Sequence, residues 1–261
     1  MNTFADTWDY LLDGSNWSGP DGMLHLLVQQ LLLSITALGI AAAVGLPLAL
    51  WLGHLGRGGF LAINISNVGR AVPTFALLAV FVVADWPGTA HFGPYGRAGL
   101  ATLLALSLFA LPAIITNAYV AVREVPAELT QVADGMGMTG WQRFSRVELP
   151  IGLPLVVSGI RLALVQVWAT ATIAALVAGP GLGRVITDGF AANYYGKGIA
   201  GAVVVAVVAL GLEGLMALVQ RAVRPGRGAP GRSARGSMRN REGGMSADPP
   251  RLGTAVEPLD R

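Results

Sequence analysis

The chain has 261 residues, of which 53% are hydrophobic and only 13% charged, about half the charge of an ordinary soluble domain. That balance argues against a water-soluble enzyme, and the lack of cysteine excludes disulfide frameworks, thiolate metal sites and cysteine nucleophiles. The net charge of +3 is uneven: residues 1–220 hold nine basic and eleven acidic groups, whereas residues 221–261 hold nine arginines against four acids, so the basic character belongs to the tail.

Residues 1–23 contain four aspartates and no basic group, and Arg57 is the first Lys or Arg in the chain. This is not the basic start of a cleaved signal peptide, and the segment is expected to lie outside the membrane. Residues 24–52 carry no formal charge, more than the roughly 20 apolar residues a helix needs to cross a bilayer. Further spans are expected at 60–84, 98–122, 151–178 and 199–219, with Arg161 alone interrupting the fourth and Glu213 alone the fifth. The 60–84 stretch is the weakest, because Arg70 and Pro73 break it, and its cleanly apolar part is short enough for a buried or re-entrant piece. Five spans with the N-terminus outside place thirteen basic residues inside and three outside. Four spans with the N-terminus inside give a split of twelve to five, nearly as good. The acidic N-terminus and the apolar Ala71–Ala84 run favour five. Both arrangements leave residues 123–150 and the tail in the cytosol.

Residues 123–150 are too long for a simple turn between helices. Pro126 suits the first turn of a short helix in which Leu129, Val132, Ala133 and Met136 form one apolar stripe. Gly135 and Gly137 are expected to break it. Thr139 and Gln142 have the spacing of a capping box that opens a second helix, with Trp141, Phe144 and Val147 on its apolar face and Pro150 as its limit. Such elements lie on a membrane surface or dock into a groove on a partner, and periodicity does not choose between them.

Near the middle of the fourth span, Trp168 either lines a path with its ring, as a quaternary ammonium solute would require, or simply packs. The Gly179, Gly181, Gly183 run lacks the phosphate-cradling GxGxxG pattern and reads as a helix-ending turn. Arg70, Arg161 and Glu213 read as groups that snorkel or mark a span end, in preference to an Arg161–Glu213 pair. His25, His54 and His91 are widely spaced, and neither HExxH nor GxSxG occurs. No metal or catalytic residue is therefore expected. Residues 221–261 are expected to form a disordered basic cytosolic tail, rich in Pro and Gly and without an apolar period.

Gln131-Val132-Ala133, three residues, Gly137, nine residues, then Val147-x-Leu149-Pro150 resembles the EAA loop of ABC importer permeases. That loop's usual form is Glu-Ala-Ala, three residues, Gly, nine residues, Ile-x-Leu-Pro. Gln131 replaces its glutamate, keeping hydrogen-bonding capacity but losing the charge. Ala133 to Thr139, Val147 to Pro150, Ser158-Gly159-Ile160-Arg161, Gly179 to Gly183, the Pro73 region and Leu111 to Asn117 together resemble the osmoprotectant branch, which imports glycine betaine, choline, carnitine or proline. The resemblance covers residues 24–220. It implies an all-α membrane protein, a polytopic bundle of five transmembrane helices with the methionine-importer-like (type I) permease fold, in the cytoplasmic membrane of a bacterium. It also implies a second permease subunit, identical or paralogous, a cytosolic ABC ATPase dimer and an extracytoplasmic solute-binding protein. No Walker A motif occurs, so ATP is expected on the partner and no cofactor or nucleic acid on this chain. The implied ATPase-coupling residues are Gln131, Ala133, Asp134, Gly135, Met136, Gly137, Met138, Leu149 and Pro150. Pro73 and Trp168 are expected along the translocation pathway. Gly181, Gly183, Tyr194 and Tyr195 are expected at the external gate or binding-protein contact, although interfacial anchoring also explains the tyrosines. An amino-acid or methionine-type importer is the alternative reading, and an intramembrane hydrolase is the more remote one.

Overall fold

The computed structural model describes residues 3–56, 58–60, 64, 69, 71–88, 93–96 and 98–223, and the regular structure among them is helical throughout. Arg57, Arg70, His91, Arg97 and the tail from residue 224 lie outside the described residues. The main elements are α1 (Thr3–Leu12), α2 (Met23–His54), α3 (Thr74–Val83), α4 (Gly99–Arg123), α5 (Ala127–Gly135), α6 (Gly140–Arg143), α7 (Leu149–Ala174), α8 (Gly183–Ala191) and α9 (Tyr195–Val223).

The core is the contact of α2, α4 and α7. Leu33, Ala37 and Ala41 meet Leu106, Ala110 and Ile114 of α4 and Ala163, Val167 and Ala171 of α7. Small residues dominate because helices surrounded by lipid associate through close packing and not through burial from water. Two glycines of α7 show how close the approach is. A Cβ at Gly152 would lie 2.4 Å from the Ala121 carbonyl oxygen, and one at Gly159 would lie 2.5 Å from Asn117 Cβ. Helix α9 is the opposite case, with Val207 62% and Leu210 73% exposed, as befits a face turned to hydrocarbon.

Among the described residues, four helical runs are long and apolar enough to cross a membrane: Met23–His54, Gly99–Arg123, Gly140–Val177 and Tyr195–Val223. The expected 60–84 span is not a continuous helix in its described part. Pro73 caps α3 in an extended conformation and Ala84 ends it in another, leaving ten residues, about 15 Å of helix against a core of roughly 30 Å. Yet the chain changes ends within residues 55–98. Helix α2 finishes at His54, beside Glu148 near the start of α7, whereas Gln29 Nε2, near the beginning of α2, donates to Pro94 O at 2.7 Å.

Two further expectations change. Pro150 does not separate the second loop helix from the next span. A π turn at Phe144–Glu148 joins α6 to α7, with Leu149 N–H reaching Phe144 O, and Pro150 falls in the first turn of α7. A proline in a regular ladder would crowd the carbonyl four residues earlier and offer it no N–H, and the wider turn accommodates both defects. Arg161 and Glu213 do not snorkel apart. Arg161 Nε donates to Glu213 Oε1 at 2.9 Å, its Nη2 donates to the same oxygen, and Nη1 donates to Gln220 Oε1 at 2.8 Å, linking α7 to α9.

Candidate functional site

The 123–150 loop is built by local signals that close on one another. Pro126 is the N-cap of α5, one position earlier than the first-turn reading. The helix runs through Gly135 and turns at Gly137, which sits at φ +77°. Met138 N–H bonds to Ala133 O at 3.1 Å and Gly137 N–H to Asp134 O at 3.0 Å, the paired bonds of a Schellman motif. Only glycine takes that left-handed position without steric cost, which is why the loop's spaced glycine is needed there. Thr139 and Gln142 form the expected capping box, with Gln142 Oε1 accepting Thr139 N–H at 2.9 Å. On α5, Ala133 faces inward and is buried, while Leu129, Val132 and Met136 are exposed, as are Gln131, Asp134 and Gly135. The stripe is open to a partner and pinned at one alanine. Met138 and Leu149 are half-buried, and Pro150 is exposed.

Beneath this surface lies a polar chain. Arg143 Nη1 donates to both oxygens of Asp134 at 3.0 Å, Arg143 Nε donates to Glu148 Oε1 at 2.9 Å, and His54 Nδ1 donates to Glu148 Oε2 at 2.6 Å. Glu148 is only 4% exposed, and a buried carboxylate is tolerable only when paired in this way. The Phe144 ring meets His54 edge-on, with centroids 5.4 Å apart.

At the opposite end, the glycine-rich segment is the helix-ending turn expected, and it is clamped from α2. Gly181 sits at φ +111°, and a Cβ there would lie 2.9 Å from Gln30 Oε1. Leu182 N–H donates to Gln30 Oε1 at 2.9 Å, and Gln30 Nε2 donates to Thr172 Oγ1 at 2.9 Å. A Cβ at Gly183 would lie 2.1 Å from Thr172 O, so α8 starts directly against the α7 backbone. A cavity of about 420 Å³ borders this turn, lined by Gln29, Tyr95, Gly179, Arg184, Thr187 and Asp188. Tyr194 packs edge-on against Tyr10 of α1, and Tyr195 against Phe190; both tyrosines are partly exposed. Trp168 is 1% exposed, with its indole N–H donating to Val205 O at 3.1 Å, so packing describes its ring in this conformation. Pro73 caps α3 beside an apolar cavity of about 580 Å³ bounded by Leu48, Val72, Thr74, Leu77, Leu111 and Pro112.

The family described as binding-protein-dependent transport system inner membrane component matches residues 35–225, which include the loop and the glycine-rich turn. The chain belongs to that family. It is 34% identical to the osmoprotectant import permease protein OsmY of Salmonella typhimurium over 205 residues, 78% of this chain and 83% of that protein. It is 28% identical to the glycine betaine/carnitine/choline transport system permease protein OpuCB of Bacillus subtilis, covering 78% of this chain and 89% of that one. It is 30% identical to the carnitine transport permease protein OpuCD of Listeria monocytogenes, covering 86% and 95%. Its fold is similar to that of a MetNI methionine ABC transporter chain, with TM-score 0.62 at 22% identity over 76% of this chain and 94% of that one. It is also similar to that of an amino acid ABC transporter chain, with TM-score 0.61 at 19% identity over 77% and 93%. The chain is thus an inner-membrane ABC importer permease of the osmoprotectant branch, a transport subunit that works with an ATPase and a solute-binding protein.

Two residues of this permease escaped the sequence reading. Gln30 holds the glycine-rich turn, and its signal was present as a buried-type amide in a charge-free span. His54 completes the loop's polar chain, but nothing in the sequence places it next to Glu148, 94 positions away.

Proposed function

We propose that the chain carries an osmoprotectant such as glycine betaine, choline or carnitine across the membrane, as one of two permease subunits. The observation that carries the cargo reading is the similarity to osmoprotectant, carnitine and choline permeases over more than three quarters of the chain. ATP is bound and hydrolysed by the partner ATPase. Helix α5, with Gln131, Asp134, Met136 and the Gly137 turn on its open side, is the segment that docks on that ATPase. The N-terminus lies outside and the C-terminus in the cytosol, with residues 55–98, including α3, making a fifth crossing. The reversal of chain end between His54 and Pro94 supports that count. Gly181, Gly183, Tyr194 and Tyr195 lie by the external gate, where the solute-binding protein delivers its load. The test is uptake of labelled solute into proteoliposomes holding the permease, its ATPase and its binding protein. ATP-dependent accumulation of glycine betaine, choline or carnitine is expected; accumulation of methionine or histidine in their place refutes the cargo assignment.

A further inference from the structure

Three features link the second half of the 123–150 loop to the membrane helices. The π turn at Phe144–Glu148 is covalent but has the irregular geometry that a widened ladder allows. The apolar link is the edge-on contact of Phe144 with His54, beside a cavity of about 460 Å³ that Pro47, Leu50, Trp51 and Trp141 also border. The third link is polar and short throughout. It starts at Asp134 on α5, passes through Arg143 on α6 and Glu148 in the π turn, and ends at His54 on the last turn of α2. Each element of the loop contributes one member.

We propose that Glu148 is a positioning residue that ties the loop to the end of α2 through Arg143 and His54, so that displacement of α5 is passed to α2. Its carboxylate is buried, and each of its two oxygens has a different partner. Sliding of the loop against α2 would strip one buried carboxylate oxygen of its His54 partner, away from water, so the network favours moving as a unit. Asp134 is half-exposed on the open side of α5, and force applied there enters the chain at its outer end. This role rests on α5 docking to the ATPase.

The experiment uses the complete importer in proteoliposomes and measures solute imported per ATP hydrolysed under binding-protein stimulation. This quotient is little altered by loss of folded protein, because uptake and stimulated hydrolysis then fall together. Glu148→Gln, which keeps the shape and removes the charge, is expected to lower the ratio about fivefold or more while the ATPase still copurifies. His54→Asn is expected to lower it less, and the double variant to be no worse than Glu148→Gln alone, as for two members of one network. An unchanged ratio in Glu148→Gln overturns the proposal, as do losses that simply add in the double variant. Loss of the ATPase on purification of Glu148→Gln also overturns it, because the residue would then act on docking. Failure of the docking reading shows separately, as an ATPase that copurifies and couples normally when α5 itself is altered.

Discussion

Gln30 shows how much one amide can hold in a dry bundle. Its oxygen accepts the Leu182 N–H and its nitrogen donates to Thr172, so it joins α2 to the end of α7 and to the turn before α8. Replacing it by leucine keeps the volume but leaves the Leu182 N–H without that acceptor, at a cost of about 1–3 kcal/mol. Gln30→Leu is therefore expected to lower the unfolding midpoint of the detergent-purified chain, and an unshifted midpoint would contradict the clamp. The Arg161–Glu213 pair makes a different point, because it is partly exposed and flanked by lipid-facing helix. Glu213→Ala leaves the guanidinium without its carboxylate partner, whereas the Arg161→Ala/Glu213→Ala double variant strands no charge. Thermal unfolding of the double variant is expected no lower than that of Glu213→Ala, and independent, additive losses would exclude an energetic link.

Helix α5 has nine residues, too short to be stable alone, so its caps and its one buried contact carry it. Pro126 starts it, Ala133 anchors it and the Gly137 turn stops it, while most of its length faces outward. A Cβ at Gly137 would meet nothing within 4 Å, so a large side chain there strains the turn and intrudes on a docked partner without disturbing this chain's packing. Gly137→Trp is expected to insert in the membrane normally and to lose ATP-driven uptake. Normal uptake by that variant would remove the loop from the coupling role. The π turn beyond α6 shows local strain resolved inside a helix: the proline that was expected to end the segment is placed at the first turn of α7, where its missing N–H costs little.

The bundle has two distinct ends, and the ends give the crossing count its physical content. Helix α1 packs near the start of α9, where a Cβ on Gly196 would meet Asp6, while the loop network sits at the finish of α2. Five crossings put α1 and α5 on opposite sides of the membrane. The cysteine-free chain allows a direct measurement with one introduced thiol at a time. Ser15→Cys is expected to react with an impermeant maleimide from outside intact cells, and Glu128→Cys only after the membrane is opened. Reaction of both from the same side would mean an even number of crossings. The basic residues beyond 225 have the composition of a segment without a core, and deletion of 226–261 is expected to leave uptake largely unchanged. A dead transporter would assign the tail a role in transport.

Hydropathy alone located four of the helices to within a few residues at most ends, because a bilayer imposes length and apolarity on each helix separately. The capping box and the spaced glycine of the loop were also legible, since caps and turns depend on residues three to five apart. The break in the 60–84 segment was legible at Pro73 but its outcome was not, because whether Pro73 kinks a span or starts a new helix depends on what packs around it. The same is true of the π turn, the Arg161–Glu213 pair, the buried ring of Trp168, and the meetings of Gln30 with Leu182 and His54 with Glu148. These contacts join residues far apart in the chain. Their partners are chosen by how helices cross, and the sequence pattern of any single helix does not encode that crossing.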